Sequence, residues 1–457
     1  MSTKQFGTKI GLIAATVGSA VGLGNVWRFP AETQANGGAA FLLLYILCVL
    51  LLGVPVMLAE FSLGRAGRSD AVGVFRRLSP HTLWWVIGGT GIFASYIITG
   101  FYMVVEGWTM EYLWQSVTGA LYAPAGADTT ATIAGADSLF SLRMDEYISS
   151  DVAPLIFTYI VLGINVAVLL GGVQKGIERL SNVLLPLLFV VLVVLCCVSL
   201  SLPGAADGVE WFLRPDFSKI SAATVINALG QTFFSLSLGM GILITYAAYY
   251  PADTRLTRTS LTVALLSLLV ALLVGFVIFP AVSTFGLDGH SLRGATLVFQ
   301  TLPEVFAFMP GTRIWSSLFF LLLFVAALTS TISLGEVSIA FLQDRFGLGR
   351  VRATLTALLP LTVLSTLCSL SYGSLGSFTI LGMNLFDFLD NLATNIILPL
   401  VSIGVCVYVG WFAPAGLLQN QLSNEGTIRS RATGLIRFII RWPAPLLIAA
   451  IWIYNFL

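Results

Sequence analysis

Apolar runs long enough to cross a bilayer recur from one end of this chain to the other. A spanning helix needs about 20 such residues. Eleven runs can be placed, at about 9–34, 39–63, 83–116, 153–171, 180–202, 222–249, 259–285, 312–342, 351–371, 385–412 and 434–456. Apolar residues make up 57% of the 457 and charged residues only 10%, which no soluble fold of this size matches. The expectation is an all-α integral membrane protein with 11 transmembrane helices. The first run is too long for a secretory signal, and no small-residue cleavage site closes it. Cysteines 48, 196, 197, 368 and 406 all fall inside apolar runs, so they are read as small core residues rather than a disulfide framework.

The net charge of +1 says little, but its distribution says more. With the N-terminus inside, the inner connections carry thirteen lysines and arginines, from Arg65 and Arg68 to Arg429 and Arg431. The outer side has five: Arg143, Arg214, Lys219, Arg293 and Arg313. Positive charge stays on the cytoplasmic side, so the N-terminus is expected inside and, after eleven spans, the C-terminus outside. A bacterial-type plasma (inner) membrane is the expected location, with the lipid bilayer as a partner. No soluble domain is evident. The segments 117–152 and 286–311 read as external loops, the second folding into short helices.

The first span is spoiled in its middle. GSAVGLGNVWRFP, residues 18–30, places glycines at 18, 22 and 24 and a bare Arg28 ahead of Pro30. Glycine costs about 1 kcal/mol in a helix and proline about 3. One such cluster reads equally well as a small-residue packing face. A second cluster tips the balance: in GQTFFSLSLGMGILITYAAYY, Gly239-Met240-Gly241 echoes Gly22-Leu23-Gly24 five spans later. Interrupted spans at matching places in two halves point to a transporter with a midplane site. The division expected is a first repeat at about 9–202, a second at about 222–412 and an extra helix at about 434–456. The 5+5 repeat is inverted, with helices 1 and 6 broken. Half-helix ends there offer partial positive charge to an anion and freed carbonyls to a cation.

GSAVGLGNVWRFP, NGGAAF, FFSLSLGMG and AALTSTIS together resemble the neurotransmitter:sodium symporter family, and within it the bacterial amino-acid transporters of the leucine-transporter fold. The likeness runs from about Phe6 to the end of span 10. It implies two sodium sites. The Na2 positions match Gly18, Val21, Ala326, Thr329 and Ser330, and the Na1 positions match Ala20, Asn25, Ser235 and Ser267, together with the substrate's carboxylate. All offer oxygen, as a hard cation requires. The plain alternative for Thr329 and Ser330 is interhelical hydrogen bonding.

Relatives that carry monoamines place an aspartate where Gly22 stands. A substrate here would therefore bring its own carboxylate, as an amino acid does. The resemblance implies a site formed by Ala20, Gly22, Gly24, Ile98, Tyr102, Phe234, Ser235, Ser237, Met240, Ser330 and Leu334. Met240, with an adaptable thioether, suits side chains of several shapes. The expected function is sodium-coupled import of a hydrophobic L-amino acid, aliphatic or aromatic, by alternating access.

Ionisable residues within spans cost about 2.5–3.5 kcal/mol and mark function by default. Arg28 and Asp390 match the family's outer gate pair, with Tyr102 and Phe234 as a lid beneath. Tyr249 and Asp344 match inner gate positions, but Thr3, followed by Lys4, stands where relatives carry an arginine, and Phe6 replaces a tryptophan. Glu60 and Glu336 match buried carboxyls with a structural role. Gly176 and Pro186 mark the inner half of span 5, which either unwinds or is merely capped and kinked. Chloride is a further expectation: Tyr45, Gln231, Ser235 and Ser267 form a donor cradle, while neither Ser267 nor Ala271 supplies the acid of chloride-independent relatives.

Three other classes compete. An intramembrane enzyme lacks a nucleophile and base, since His81 and His290 lie at span edges or in loops and no HExxH or GxSxG occurs. A simple channel conflicts with gates on both sides of one site. A non-transporting, sodium-dependent amino-acid sensor on the same scaffold stays open. No nucleic-acid partner is expected, and the sequence leaves the oligomeric state undetermined.

Overall fold

In hydrocarbon every backbone amide and carbonyl needs a partner within the protein, so apolar runs of this length become helices. The computed structural model describes residues 5–122, 139–286, 297–428, 430 and 432–454. The expectations for Thr3, Lys4, His290, Arg293, Arg429 and Arg431 fall outside these residues. The helices that matter are α1 (Lys9–Ala20), α2 (Gly24–Ala35), α3 (Ala39–Gly67), α4 (Trp85–Thr118), α5 (Ala153–Leu170) and α6 (Val173–Leu200). They continue as α7 (Ala222–Ser235), α8 (Ile242–Ala248), α9 (Leu256–Thr284), α10 (Thr312–Phe346), α11 (Arg350–Leu370), α12 (Leu385–Phe412) and α13 (Thr433–Tyr454).

Among the described residues nine helices are individually long and apolar enough to cross a membrane, and the pair α1 and α2, bent by 49°, makes ten. The expected eleven is reached only by counting α7 and α8 together. They have 14 and 7 residues, and neither is long enough alone. The chain between them turns through Ser237, Gly239 and Gly241, all at positive φ (54°, 77° and 72°). In the segment 286–311, expected outside, Leu297–Ala307 is helical. Four cysteines are buried, but Cys197 is exposed on the outer surface of the bundle, so it is not a core residue.

α10 is the hub. It packs on α4, α6, α11 and α1, and 83% of its apolar window is buried, against 33% for α5 and for α13 at the periphery. Local chemistry sets the helix starts. Thr8 caps α1 by accepting from the Gly11 amide at 2.9 Å. Ser221 and Thr224 form a capping box at the head of α7. α3 and α8 pack backbone to backbone: a Cβ on Gly64 would stand 2.0 Å from the Ile244 carbonyl oxygen.

That contact predicts contrasting effects for two glycines. Gly64→Ala should lower stability by about 1–3 kcal/mol through overpacking. Gly163→Ala, on the exposed face of α5 with nothing within 4 Å of its added methyl, should be neutral or stabilising by up to about 1 kcal/mol. Thermal unfolding in detergent measures both. Equal effects would refute the close α3–α8 approach.

Candidate functional site

The two interruptions lie against each other, and side chains from other helices answer the backbone groups they release. The Leu23 amide donates to the Tyr102 hydroxyl at 3.0 Å, and Gln231 Nε2 donates to the Gly24 carbonyl at 2.9 Å. Ser237 Oγ donates to the Ser19 carbonyl at 2.7 Å, tying one break to the other. On the second break, the Gly239 amide donates to Glu60 Oε1 at 2.8 Å, and Ser95 Oγ donates to the Met240 carbonyl. Glycine is required in the first break because of these approaches. A Cβ on Gly22 would lie 2.4 Å from Ser330 Oγ, and one on Gly24 would lie 2.7 Å from the Phe234 ring.

All eleven residues expected around a substrate line one cavity of about 30 Å³ between α1, α2, α4, α7, α8 and α10. Ser19, Asn25 and Ile242 complete its lining. Ile98, Phe234, Met240, Ile242 and Leu334 form its apolar wall, and no charged side chain contributes.

The expected Na1 residues converge on Asn25. Its Nδ2 donates to the carbonyl and Oγ of Ser267 at 3.0 and 2.8 Å. This turns Oδ1 into a buried acceptor with no donor among the described residues, next to Ala20 and Ser235 in the cavity wall. Orphaned buried acceptors are costly, and a cation would relieve this one. The expected Na2 residues also meet: Gly18 faces Thr329, with 3.3 Å from a built Cβ to the Thr329 Cβ. Thr329 Oγ1 donates to Val325 and Ala326 carbonyls, and Ser330 Oγ to Ala326. Thr329 Oγ1 bonds within α10, whereas Ser330 Oγ also bonds across to the Tyr102 hydroxyl on α4. The Thr329 lone pairs stay available to a cation. Val21, extended at φ −100° and ψ 90°, ends α1. Carbonyl, amide and hydroxyl oxygens in these sets suit a hard monovalent ion.

The chloride cradle is only partly assembled. Tyr45 Oη and Ser235 Oγ are 2.8 Å apart, and Ser267 Oγ lies 3.5 Å from the Ser235 carbonyl. Gln231, however, donates from its amide to the Gly24 carbonyl, and its Oε1 is buried with no partner among the described residues.

The expected outer gate pair is not closed as an ion pair, although the Arg28 charge is near enough to act on Asp390. Arg28 pairs with Glu32, one turn along α2, at 3.7 Å, and its guanidinium lies over the Phe234 ring at 5.1 Å. No ion pair within 4.0 Å joins it to Asp390 among the described residues. Of the expected inner gate residues, Tyr249 donates to Glu336 Oε1 at 3.0 Å. Asp344 accepts from the Asp70 amide and Ser69 Oγ, at 3.0 and 3.1 Å. Burial raises the Asp70 carboxyl above the usual carboxylate range, and Asp344 adds to this against the Val72 and Gly73 amides. Gly176 sits in an intact wide-turn segment, Val173–Glu178, where a Cβ would meet the Val168 carbonyl at 2.1 Å.

Sequence reasoning missed the polar groups that hold the inner face. Glu178, buried in α6, accepts from the Gly7 and Thr8 amides and from Thr8 Oγ1 at 2.7–3.0 Å. Arg350 pairs with the fully buried Glu336 at 2.7 Å. Arg65 and Arg68 bind carbonyls of Thr254, Gln421, Ala248 and Tyr250. These arginines were visible only as contributions to the inside charge count, which carries no information about partners.

Comparison with known proteins identifies the family. A model of the sodium:neurotransmitter symporter family matches residues 3–134 and 142–457. An uncharacterized sodium-dependent transporter of Bacillus subtilis is 32% identical over 421 residues, 92% of this chain and 90% of that protein. The sodium-dependent serotonin transporter of Drosophila melanogaster is 28% identical over 447 residues, 90% of this chain and 70% of its own. Among solved structures, MhsT in complex with L-phenylalanine aligns with a TM-score of 0.88 and 38% identity, over 98% of this chain and 99% of its own. The chain belongs to the sodium:neurotransmitter symporter family. It is a multi-pass membrane transporter of a sodium-dependent family, not an enzyme.

The inner network yields a stability test. Arg350→Gln leaves the Glu336 carboxyl buried without its cation and should cost about 3–5 kcal/mol. Adding Glu336→Gln should restore much of the loss, because the isolated buried charge is then gone. Thermal unfolding of both variants in detergent decides it. A double variant no better than the single one would show that the pair is not what Arg350 contributes.

Proposed function

We propose that this family member imports a hydrophobic L-amino acid together with sodium, using the cavity between the two helix breaks. The carrying observation is the lining itself: apolar side chains on one side, backbone and hydroxyl groups of the breaks on the other, and no charged side chain. A bare amine would find no counter-ion there, and burying an unpaired charge is expensive. A zwitterion supplies its own carboxylate to the Gly22–Gly24 amides, the Tyr102 hydroxyl and a sodium ion at Asn25. Its amino group turns to carbonyls and hydroxyls near Phe234, Ser235 and Ser237. Ile98, Met240 and Leu334 then receive an aliphatic or aromatic side chain. The MhsT structure, bound to L-phenylalanine, supports a substrate of this kind.

Sodium enters as co-substrate at two places, one at Ala20, Asn25, Ser235 and Ser267 and the other at Gly18, Val21, Ala326, Thr329 and Ser330. Alternating access follows from opening one side of the cavity at a time. The outer closure is Arg28 over Phe234, with Asp390 on α12 available when the vestibule narrows. The inner closure is the contact of Tyr249, Glu336 and Arg350 together with Asp344 at Asp70. The two interrupted helices occupy corresponding places in two five-helix repeats (about 9–202 and 222–412), so both repeats contribute to each ion. In this reading the protein lies in a bacterial inner membrane with its N-terminus in the cytoplasm and its C-terminus outside.

Two measurements test the proposal. Uptake of L-phenylalanine or L-leucine into reconstituted vesicles should require a sodium gradient, and Asn25→Ala should abolish it. Equal uptake in sodium and potassium buffers would refute sodium coupling, and sodium-dependent binding without uptake would identify a sensor instead. The second concerns charge. Two sodium ions and a zwitterion add net positive charge to a low-dielectric site. Chloride at Tyr45, Ser235 and Ser267, with the Gln231 amide turned toward it, would balance part of that charge. Replacing chloride with gluconate should weaken uptake, and Ser267→Asp or Ala271→Glu should reduce the loss. Full wild-type activity in gluconate would show that the compensating charge comes from elsewhere.

A further inference from the structure

The corner where α12 meets α13 carries positive charge with no carboxylate partner among the described residues. A cavity of about 170 Å³ opens there, lined by Trp411, Gln419, Thr433 and Arg437 among others. Thr433, Arg437 and Arg441 follow one another at four-residue spacing on α13, which places them on one helix face. Arg441 lies over the Trp411 ring at 5.4 Å, yet its Nε is buried and has no hydrogen-bond partner among the described residues. Neither arginine has a carboxylate within 4.0 Å among the described residues. Around them, Phe412, Leu435, Phe438 and Trp442 are exposed by 58%, 64%, 56% and 49%. Trp411 and Trp442 meet edge to face at 5.3 Å. Unpaired guanidinium groups beside exposed tryptophan and leucine describe a membrane–water boundary. The arginine count places this boundary on the cytoplasmic side.

We propose that this corner binds an anionic phospholipid of the phosphatidylglycerol class. The phosphodiester lies between Arg437 and Arg441, and its acyl chains run along Phe438 and Trp442. A guanidinium fork matches two phosphate oxygens, and the free Nε of Arg441 supplies a donor already stripped of water. Two uncompensated positive charges favour a lipid of net negative charge over phosphatidylcholine, whose choline cancels its phosphate. The apolar flanks favour a lipid over free phosphate. Basic pockets between helices on the cytoplasmic side commonly hold anionic head groups.

The test titrates the purified full chain in detergent with phosphatidylglycerol, phosphatidylcholine or inorganic phosphate, and reads bound lipid by native mass spectrometry. The expected result is tighter binding of phosphatidylglycerol, weakened about fivefold by Arg437→Gln and again by Arg441→Gln. Arg352→Gln, an exposed arginine at the start of α11, should leave it unchanged. Arg437 is exposed, so its variant carries the test even if Arg441→Gln fails to fold. Unchanged phosphatidylglycerol affinity in Arg437→Gln would overturn the proposal. So would an equal loss in Arg352→Gln, an equal loss of phosphatidylcholine, or displacement of the lipid by millimolar inorganic phosphate.

Discussion

Backbone groups released from a helix inside a membrane have nowhere to turn but to the protein or a bound ion, and the arrangement around the two breaks follows from that. Each interruption frees amides and carbonyls where water is absent, and each costs several kcal/mol if left unanswered. Tyr102, Gln231, Ser237, Glu60 and Ser95 answer five of these groups. They come from α3, α4, α7 and the second break itself. The site is thus held by the same bonds that make the breaks tolerable. Beside them Asn25, oriented by its bonds to Ser267, keeps an acceptor left over, which is the place a cation is wanted.

The buried carboxyls extend the same logic toward the inner face. Glu60 holds the second break, and Glu336 receives Tyr249 and Arg350. Glu106, fully buried in α4, accepts from Asn165 on α5. Glu178 clamps the first turn of α1 to α6 through three donors. Next to that clamp the Phe6 ring packs against Tyr246, Tyr249 and Tyr250 at 5.8–6.5 Å, and its amide donates to the Tyr249 carbonyl. Phe6, Gly7 and Thr8, just ahead of α1, are therefore fastened to both α6 and the end of α8. A motion that swings α1 away to open the inner side has to undo the Glu178 bonds and the Phe6 packing together. The exposed Lys9–Asp253 pair adds little, being open to solvent.

How much of this is legible in the sequence depends on the range of the interaction. The spans are legible because twenty consecutive apolar residues have no other stable home. The first break is legible because Gly18, Gly22 and Gly24 violate helix propensity inside an apolar run, and the echo at Gly239–Gly241 identifies the second. Eleven of the fourteen residues that line the cavity are recognisable because they lie near those breaks or match positions of the family the sequence resembles. Arg28 is different. Its family partner is Asp390, but here a glutamate one turn away on the same helix competes at 3.7 Å, and the ring of Phe234 lies beneath it. At the expected inner gate Tyr249 takes Glu336 as its partner, which the sequence shows only as a buried structural carboxyl.

By itself, then, the sequence determined that this chain is a bundle of membrane helices with two of them interrupted, because hydropathy and glycine content act locally and along the chain. The tertiary structure alone decided which polar group meets which. Glu60 finds Gly239 across 179 positions, Glu178 finds Thr8 across 170, and Gln231 finds Gly24 across 207. No pattern in a single sequence encodes such distant pairings. They are set by helix packing, where a difference of one turn, about 5.4 Å, separates a bonded carboxyl from an orphaned one.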